Sequence, residues 1–115
     1  MQTPIIDTHL HLIYRDRLSY PWLAGVAPLN RDFRYETYAI EARRCGITDA
    51  LHMEVDVAPD GIETETRNVE DLARRPESLL RGAISACRPE DDGFPAFLER
   101  QLADPFVKGD RKSVV

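Results

Sequence analysis

Apolar and polar residues alternate with a period of two over residues 5–12, "IIDTHLHL", which predicts a β-strand. Past it, residues 14–31 scatter prolines and Gly25 among mixed side chains, so no regular element is expected across them. The period then changes. Phe33, Tyr38, Ala39, Ala42 and Cys45 supply one helical face, with Asp32 placed as an N-cap and Gly46 where a glycine ends a helix. Residues 47–55, "ITDALHMEV", read as a second strand. Asp60 and Glu63 have the spacing of a capping box ahead of a helix that carries Ile62, Val69, Leu72 and Ala73 and stops before Pro76. A third strand follows at 79–86, "LLRGAISA". Phe94, Phe97, Leu98 and Leu102 then recur at helical spacing, with Pro95 tolerated in the first turn, and "PFVKG" at 105–109 opens a fourth strand.

Strands that alternate with helices in this way imply an α/β fold with a parallel sheet and right-handed crossovers. Two architectures share this opening: an open doubly wound sheet, and the first part of a (β/α)₈ barrel. A full barrel takes roughly 250 residues. A chain of 115 residues then holds about three βα units plus the start of a fourth strand, over residues 1–109.

Composition removes several function classes. The 43% hydrophobic and 30% charged content is that of a globular chain. A net charge of -5, with basic residues paired at most as in Arg43-Arg44 and Arg74-Arg75, argues against a nucleic-acid partner. No apolar run approaches the roughly 20 residues of a membrane span, and "MQTPIID" lacks the basic and long apolar regions of a signal peptide. Cys45 and Cys87 stand far apart with no CxxC spacing, so no disulfide framework is expected and a cytoplasmic location is the default.

The chemistry is concentrated in "DTHLH". Residues two apart in a strand share a face, so Ile5, Asp7, His9 and His11 lie on one side and Ile6, Thr8, Leu10 and Leu12 on the other. The first face becomes more polar toward the strand's C-terminal end, where barrel active sites are built. His9 and His11 are about 6.6 Å apart along the strand, and two imidazoles leaning together reach one metal ion at about 2.0–2.1 Å. The plain alternative is two ordinary histidines, since a bare HxH arises by chance; its place after an apolar strand favours the site.

Four further residues are candidates for contact with a small-molecule substrate. Tyr20 and Trp22 lie in the loop after the first strand, where an aromatic ring stacks on a sugar or pyrone, or else caps the fold. Glu54 shares a face with His52 near the end of the second strand and is suited to orienting substrate or a ligand. Arg88, after the third strand, offers a bidentate fork to a carboxylate. Glu90, Asp91 and Asp92 read as a solvated turn.

"IIDTHLHL" resembles the first-strand HxH motif of the amidohydrolase superfamily, whose members are (β/α)₈ hydrolases. "RLSYPWL", "PLNRDF" and "RRCGITDALHMEVD" resemble the amidohydrolase-2 branch that includes fuconolactonase and the pyrone dicarboxylate lactonases, and "LLRGAISACRPED" is similar to its third strand and loop. The resemblance runs from Ile5 to about Gly109. It implies hydrolysis of a lactone or related cyclic ester of a sugar acid or carboxylated ring. His9 and His11 match the pair that binds one divalent metal, zinc or manganese, in most of the superfamily. Some pyrone lactonases use the same histidines on substrate without metal, so both mechanisms stay open. HxH alone also fits TatD-like nucleases, phosphatase-type relatives and decarboxylases of the superfamily. The family's later histidines and its aspartate base have no counterpart in this sequence, and the chain alone is therefore expected to be inactive. The rival class is a small non-catalytic α/β domain that binds a partner through its loops.

Residues 110–115, "DRKSVV", put three consecutive charges where an apolar strand should continue. The codons GAT CGG AAG AGC GTC GTG would encode them, and that string would read as a common sequencing adapter followed in frame by a stop. A non-native tail is expected.

Overall fold

The computed structural model of the chain describes residues 3–112. Four strands, β1 (Ile6–Leu10), β2 (Asp49–Met53), β3 (Leu80–Cys87) and β4 (Val107–Lys112), form one sheet in the order β1-β2-β3-β4. All three pairings are parallel. The connecting helices are α1 (Tyr35–Arg44), α2 (Ile62–Ala73) and α3 (Phe94–Ala103). The sheet is open: β1 and β4 each have one strand neighbour among the described residues.

The alternation read from the sequence holds from His9 onward and outlasts the first strand, but Ile6 and Thr8, expected on the core face with Leu10, are exposed, and Asp7, expected beside His9, bonds Tyr38 of the core helix α1. Leu10, Leu12 and Tyr14 enter the main core cluster, while His11 and Ile13 face a cavity on the other side. Between Asp7 and Leu10 the register against β2 slips by one residue, a bulge centred on Thr8 and His9. The core lies between sheet and helices, with Tyr38, Ala39 and Ala42 of α1 and Val69 and Leu72 of α2 meeting Ala50, Leu80 and Ala83. Burying each large apolar side chain contributes about 1.5–3 kcal/mol. A second cluster, Leu18, Tyr20, Leu23, Val55, Val57, Ile62 and Ala86, packs the first loop onto the end of the sheet. In α3 no residue is buried, and Leu102 is 78% exposed.

Several local expectations are corrected. The first loop is not free of regular structure: Pro21–Gly25 and Ala27–Leu29 are short 3-10 helices, each with proline in its first turn where the missing N–H is not needed. Asp32 does not cap α1. The helix starts at Tyr35 after an extended Arg34, and Asp32 Oδ1 accepts from the Arg15 amide (3.1 Å) and Nε (3.0 Å). The first helical amide is satisfied by Tyr14, whose hydroxyl accepts from Tyr35 N at 3.0 Å. Asp60 and Glu63 form no capping box either. Asp60 belongs to the 3-10 turn Pro59–Gly61, Gly61 precedes α2 without a side-chain cap, and Glu63 reaches Arg100 of α3. Of the predicted α1 face, Phe33 precedes the helix and Cys45 is exposed. Gly46 ends α1 as expected, with φ of +81° and the paired bonds Gly46 N to Arg43 O and Ile47 N to Ala42 O.

The fourth strand does not stop at Gly109. Asp110, Arg111 and Lys112 pair in register with Ser85, Ala86 and Cys87. The backbone ladder is indifferent to side-chain charge, and an edge strand tolerates charges facing solvent. The rest of the expected tail, 113–115, lies outside the described residues. Gly82 permits the close approach of β4, since a Cβ there would stand 2.7 Å from Lys108 Cγ. No helix among the described residues is long and apolar enough to cross a membrane.

Candidate functional site

At the C-terminal end of β1 the two histidines converge. His9 Nε2 and His11 Nε2 are 3.0 Å apart, with the rings edge to face. His11 Nδ1 lies 3.0 Å from the Met53 carbonyl, which can only accept, so Nδ1 carries the proton and Nε2 presents its lone pair. His9 Nε2–H then donates to it. The His9 backbone is held by Asp7, whose Oδ1 accepts from His9 N at 3.0 Å. Asp7 Oδ2 accepts from the Tyr38 hydroxyl at 2.8 Å. Burial, and then the Asp7 carboxylate itself, hold the Tyr38 proton on well above the usual range.

This arrangement fits half of a metal site. Two nitrogens on one tetrahedral zinc, each at about 2.0–2.1 Å, lie roughly 3.3 Å apart, close to the observed 3.0 Å. The Met53 carbonyl is the outer partner that commonly orients a ligating imidazole. Among the described residues no group of three or more His, Cys, Asp or Glu could hold a metal ion, so the pair lacks further protein ligands here.

Beside the pair opens a cavity of about 520 Å³, walled by Ile13, Trp22, Leu29, Phe33 and Val55, with His11, Glu54, Asp56, Arg31 and Arg111 as its polar lining. Trp22 reaches it because its indole Nε1 donates to the Val55 carbonyl at 2.9 Å. Phe33 is carried by an antiparallel bridge between Ile13 and Phe33, which folds the first loop back over the end of β1. Glu54 is fully buried; Oε2 accepts from Asp56 N and Oε1 from Arg111 Nε, each at 2.7 Å. His52, expected beside it, accepts the Leu12 amide through Nε2 at 3.3 Å and does not line the cavity. Burial pushes His52 down to about 3, so it is neutral.

Two candidates are placed differently from the sequence reading. Tyr20 belongs to the second core cluster, not the cavity. Its hydroxyl accepts the Tyr14 amide at 2.9 Å, and burial pushes its pKa up to about 12. Ring and hydroxyl are both committed, because folding the loop back needs an apolar anchor and leaves the Tyr14 amide in want of a partner. Arg88 does not line this cavity but a smaller pocket with Phe94 and Phe97, where one nitrogen donates to Asp56 Oδ1 (3.2 Å) and another to the Cys87 carbonyl (3.1 Å). Its fork is occupied by the protein.

Sequence reasoning missed Arg31 and Glu65. Arg31 lines the cavity and enters no ion pair among the described residues, whereas Arg15 and Arg34 are paired with Asp32, Arg88 with Asp56 and Arg111 with Glu54. It stands in "PLNRDF", and nothing in that stretch separates a cavity arginine from a surface one. Glu65 had a signal: it falls on the apolar stripe of Ile62, Val69 and Leu72. It is 3% exposed, and its carboxyl accepts from Val55 N at 3.1 Å. Burial, with Glu54 adding to it, pushes Glu65 up to about 8.

No family model matches the sequence, and no curated protein matches it significantly. Among solved structures the chain is similar to an amidohydrolase 2 from Bifidobacterium longum subsp. infantis, with a TM-score of 0.69 and 23% identity, over 98% of this chain and 41% of that one. The chain thus spans about 41% of the length of that solved relative. The likeness, with the four parallel strands in sequential order, makes the fold three βα units and a fourth strand of a (β/α)₈ barrel.

Proposed function

We propose that the chain is part of an amidohydrolase-2-type hydrolase that opens a lactone or related cyclic ester of a sugar acid or carboxylated ring. The observation that carries this reading is the His9–His11 pair, with its Nε2 atoms converging at the C-terminal end of β1 and His11 oriented by the Met53 carbonyl. The likeness to a solved amidohydrolase 2 supports it. His9 and His11 would hold one divalent zinc or manganese ion, which when bound supplies Lewis-acid polarisation of the ester carbonyl.

The chain's own residues do the rest of what this part of a barrel can do. The walls of Ile13, Trp22, Leu29 and Phe33 take the ring and keep water from its faces. Arg31 offers a carboxylate the charged fork for which Arg88 was first considered. Glu54, fixed between Asp56 N and Arg111, keeps a carboxylate at the inner wall and holds the turn that carries Val55. We infer that the attacking water and its base are supplied by the part of a barrel that these four strands do not make, since the chain spans about 41% of the solved relative's length.

In the longer enzyme, His9→Ala and His11→Ala should each cut lactone hydrolysis by orders of magnitude with the fold retained, and bound zinc or manganese should fall in parallel. Loss of rate with no metal in either form, and no effect of chelators on the wild type, assigns the histidines to substrate. Near-wild-type turnover in both variants ends the hydrolase reading of this pair.

A further inference from the structure

Glu65 and Trp22 are far apart in sequence and belong to different elements, yet both close on the backbone of one residue. The Glu65 carboxyl takes the Val55 N–H at 3.1 Å from α2. The Val55 carbonyl takes the Trp22 indole N–H at 2.9 Å from the first loop. Val55 is itself buried, and the turn around it is heavily determined: Asp56 has a positive φ of 49°, its amide is held by Glu54, and its carboxylate by Arg88. A side chain with an acceptor is required at position 65, because Val55 is buried and its N–H has no backbone acceptor among the described residues. An apolar residue would complete the stripe of α2 but would release this amide.

We propose that Glu65 is a positioning residue for Trp22: its carboxyl fixes the Val55 backbone, whose carbonyl fixes the indole ring on the cavity wall. The inference deepens the reading of that cavity as a substrate site and rests on it only for the use made of the ring. Glu65 does not itself line the cavity and is not itself catalytic. The relay explains why a carboxyl occupies the helix stripe, and why the aromatic wall keeps its place on a loop otherwise built from two short 3-10 turns.

Trp22 is the single tryptophan of the sequence, so its indole N–H gives one resolved signal in a proton–nitrogen correlation spectrum. Glu65→Met keeps the volume and removes the acceptor; Glu65→Gln keeps an acceptor oxygen without the acid. In the 115-residue chain, Glu65→Met should move that signal and speed its solvent exchange by about tenfold or more, the protection of roughly one hydrogen bond. Glu65→Gln should return both to wild-type values. Val69→Ala loosens the same helix without touching Val55 and should leave both unchanged. An undisturbed indole signal in Glu65→Met, an equal disturbance in Glu65→Gln, or an equal disturbance in Val69→Ala overturns the proposal. If Glu65→Met loses its helical ellipticity, Glu65→Asp, which withdraws the carboxyl by one methylene, is read against the same criteria. Because the readout is structural, it is independent of turnover, and a failure of the hydrolase reading leaves it standing.

Discussion

Glu65→Gln should flatten the neutral and alkaline part of the stability profile. Glu65 is 3% exposed, and burial, then the Glu54 carboxylate, push its pKa up to about 8 from an ordinary 4.5. Between those values the folded chain keeps a proton that the unfolded chain has released. Stability therefore falls as pH rises, from its full value below pH 4.5 to its floor above about 8. The slope approaches about 1.4 kcal/mol per pH unit, so the whole window is worth on the order of 4–5 kcal/mol. That is a large part of the roughly 5–15 kcal/mol that holds a domain together. Solvent screening takes little from it, because the carboxyl has almost no exposed surface. Glutamine still accepts the Val55 amide and does not ionise, so the variant should gain a few kcal/mol over the wild type at pH 8 and match it near pH 5. Urea unfolding followed by far-ultraviolet circular dichroism, repeated from roughly pH 5 to 9, measures both curves. Parallel curves for the two proteins would refute the buried-acid account.

Three further outcomes follow from other contacts. His52→Gln should remove part of the acid limb. The folded protein excludes a proton from His52 down to about 3 while the unfolded chain takes it up near 6.5, so wild-type stability falls as pH drops through that window, and urea midpoints for the variant should fall less. Tyr14→Phe removes the acceptor for the first amide of α1 and should cost about 1–2 kcal/mol in urea unfolding, an unchanged midpoint showing that water replaces it. The edges of β1 and β4, each with one strand neighbour among the described residues, should make the chain self-associate as concentration rises, and a single monomeric boundary in sedimentation velocity at all concentrations would contradict that.

The alternation over residues 5–12, the helical faces around Tyr38 and Val69, and the glycine at position 46 each have a local physical cause, and the elements they announce are present. Strand periodicity is a property of the backbone, so it was enough to place His9 and His11 on one side of β1. The misplaced caps have the opposite cause. Asp32 and Asp60 have good N-cap chemistry, but a carboxylate can bind any nearby donor. Arg15 competes for Asp32, and the Tyr14 hydroxyl supplies the α1 amide instead. Partners brought together by the fold decide such contests, and no sequence window contains them both.

The same holds for the cavity. That Trp22 belongs to it, Tyr20 to the core and Arg88 to the protein's own Asp56 depends on how the first loop folds back through the Ile13–Phe33 bridge. Loop residues have no period to betray their facing, because their direction is set by long-range contacts and not by a repeating backbone geometry. The sequence by itself determined a run of parallel βα units and a histidine pair at the end of the first strand. Only the tertiary structure decided which aromatic lines the cavity, which arginine of its lining enters no ion pair among the described residues, and that an acid on the buried face of α2 takes the Val55 amide, since each depends on residues distant in the chain meeting where water is excluded.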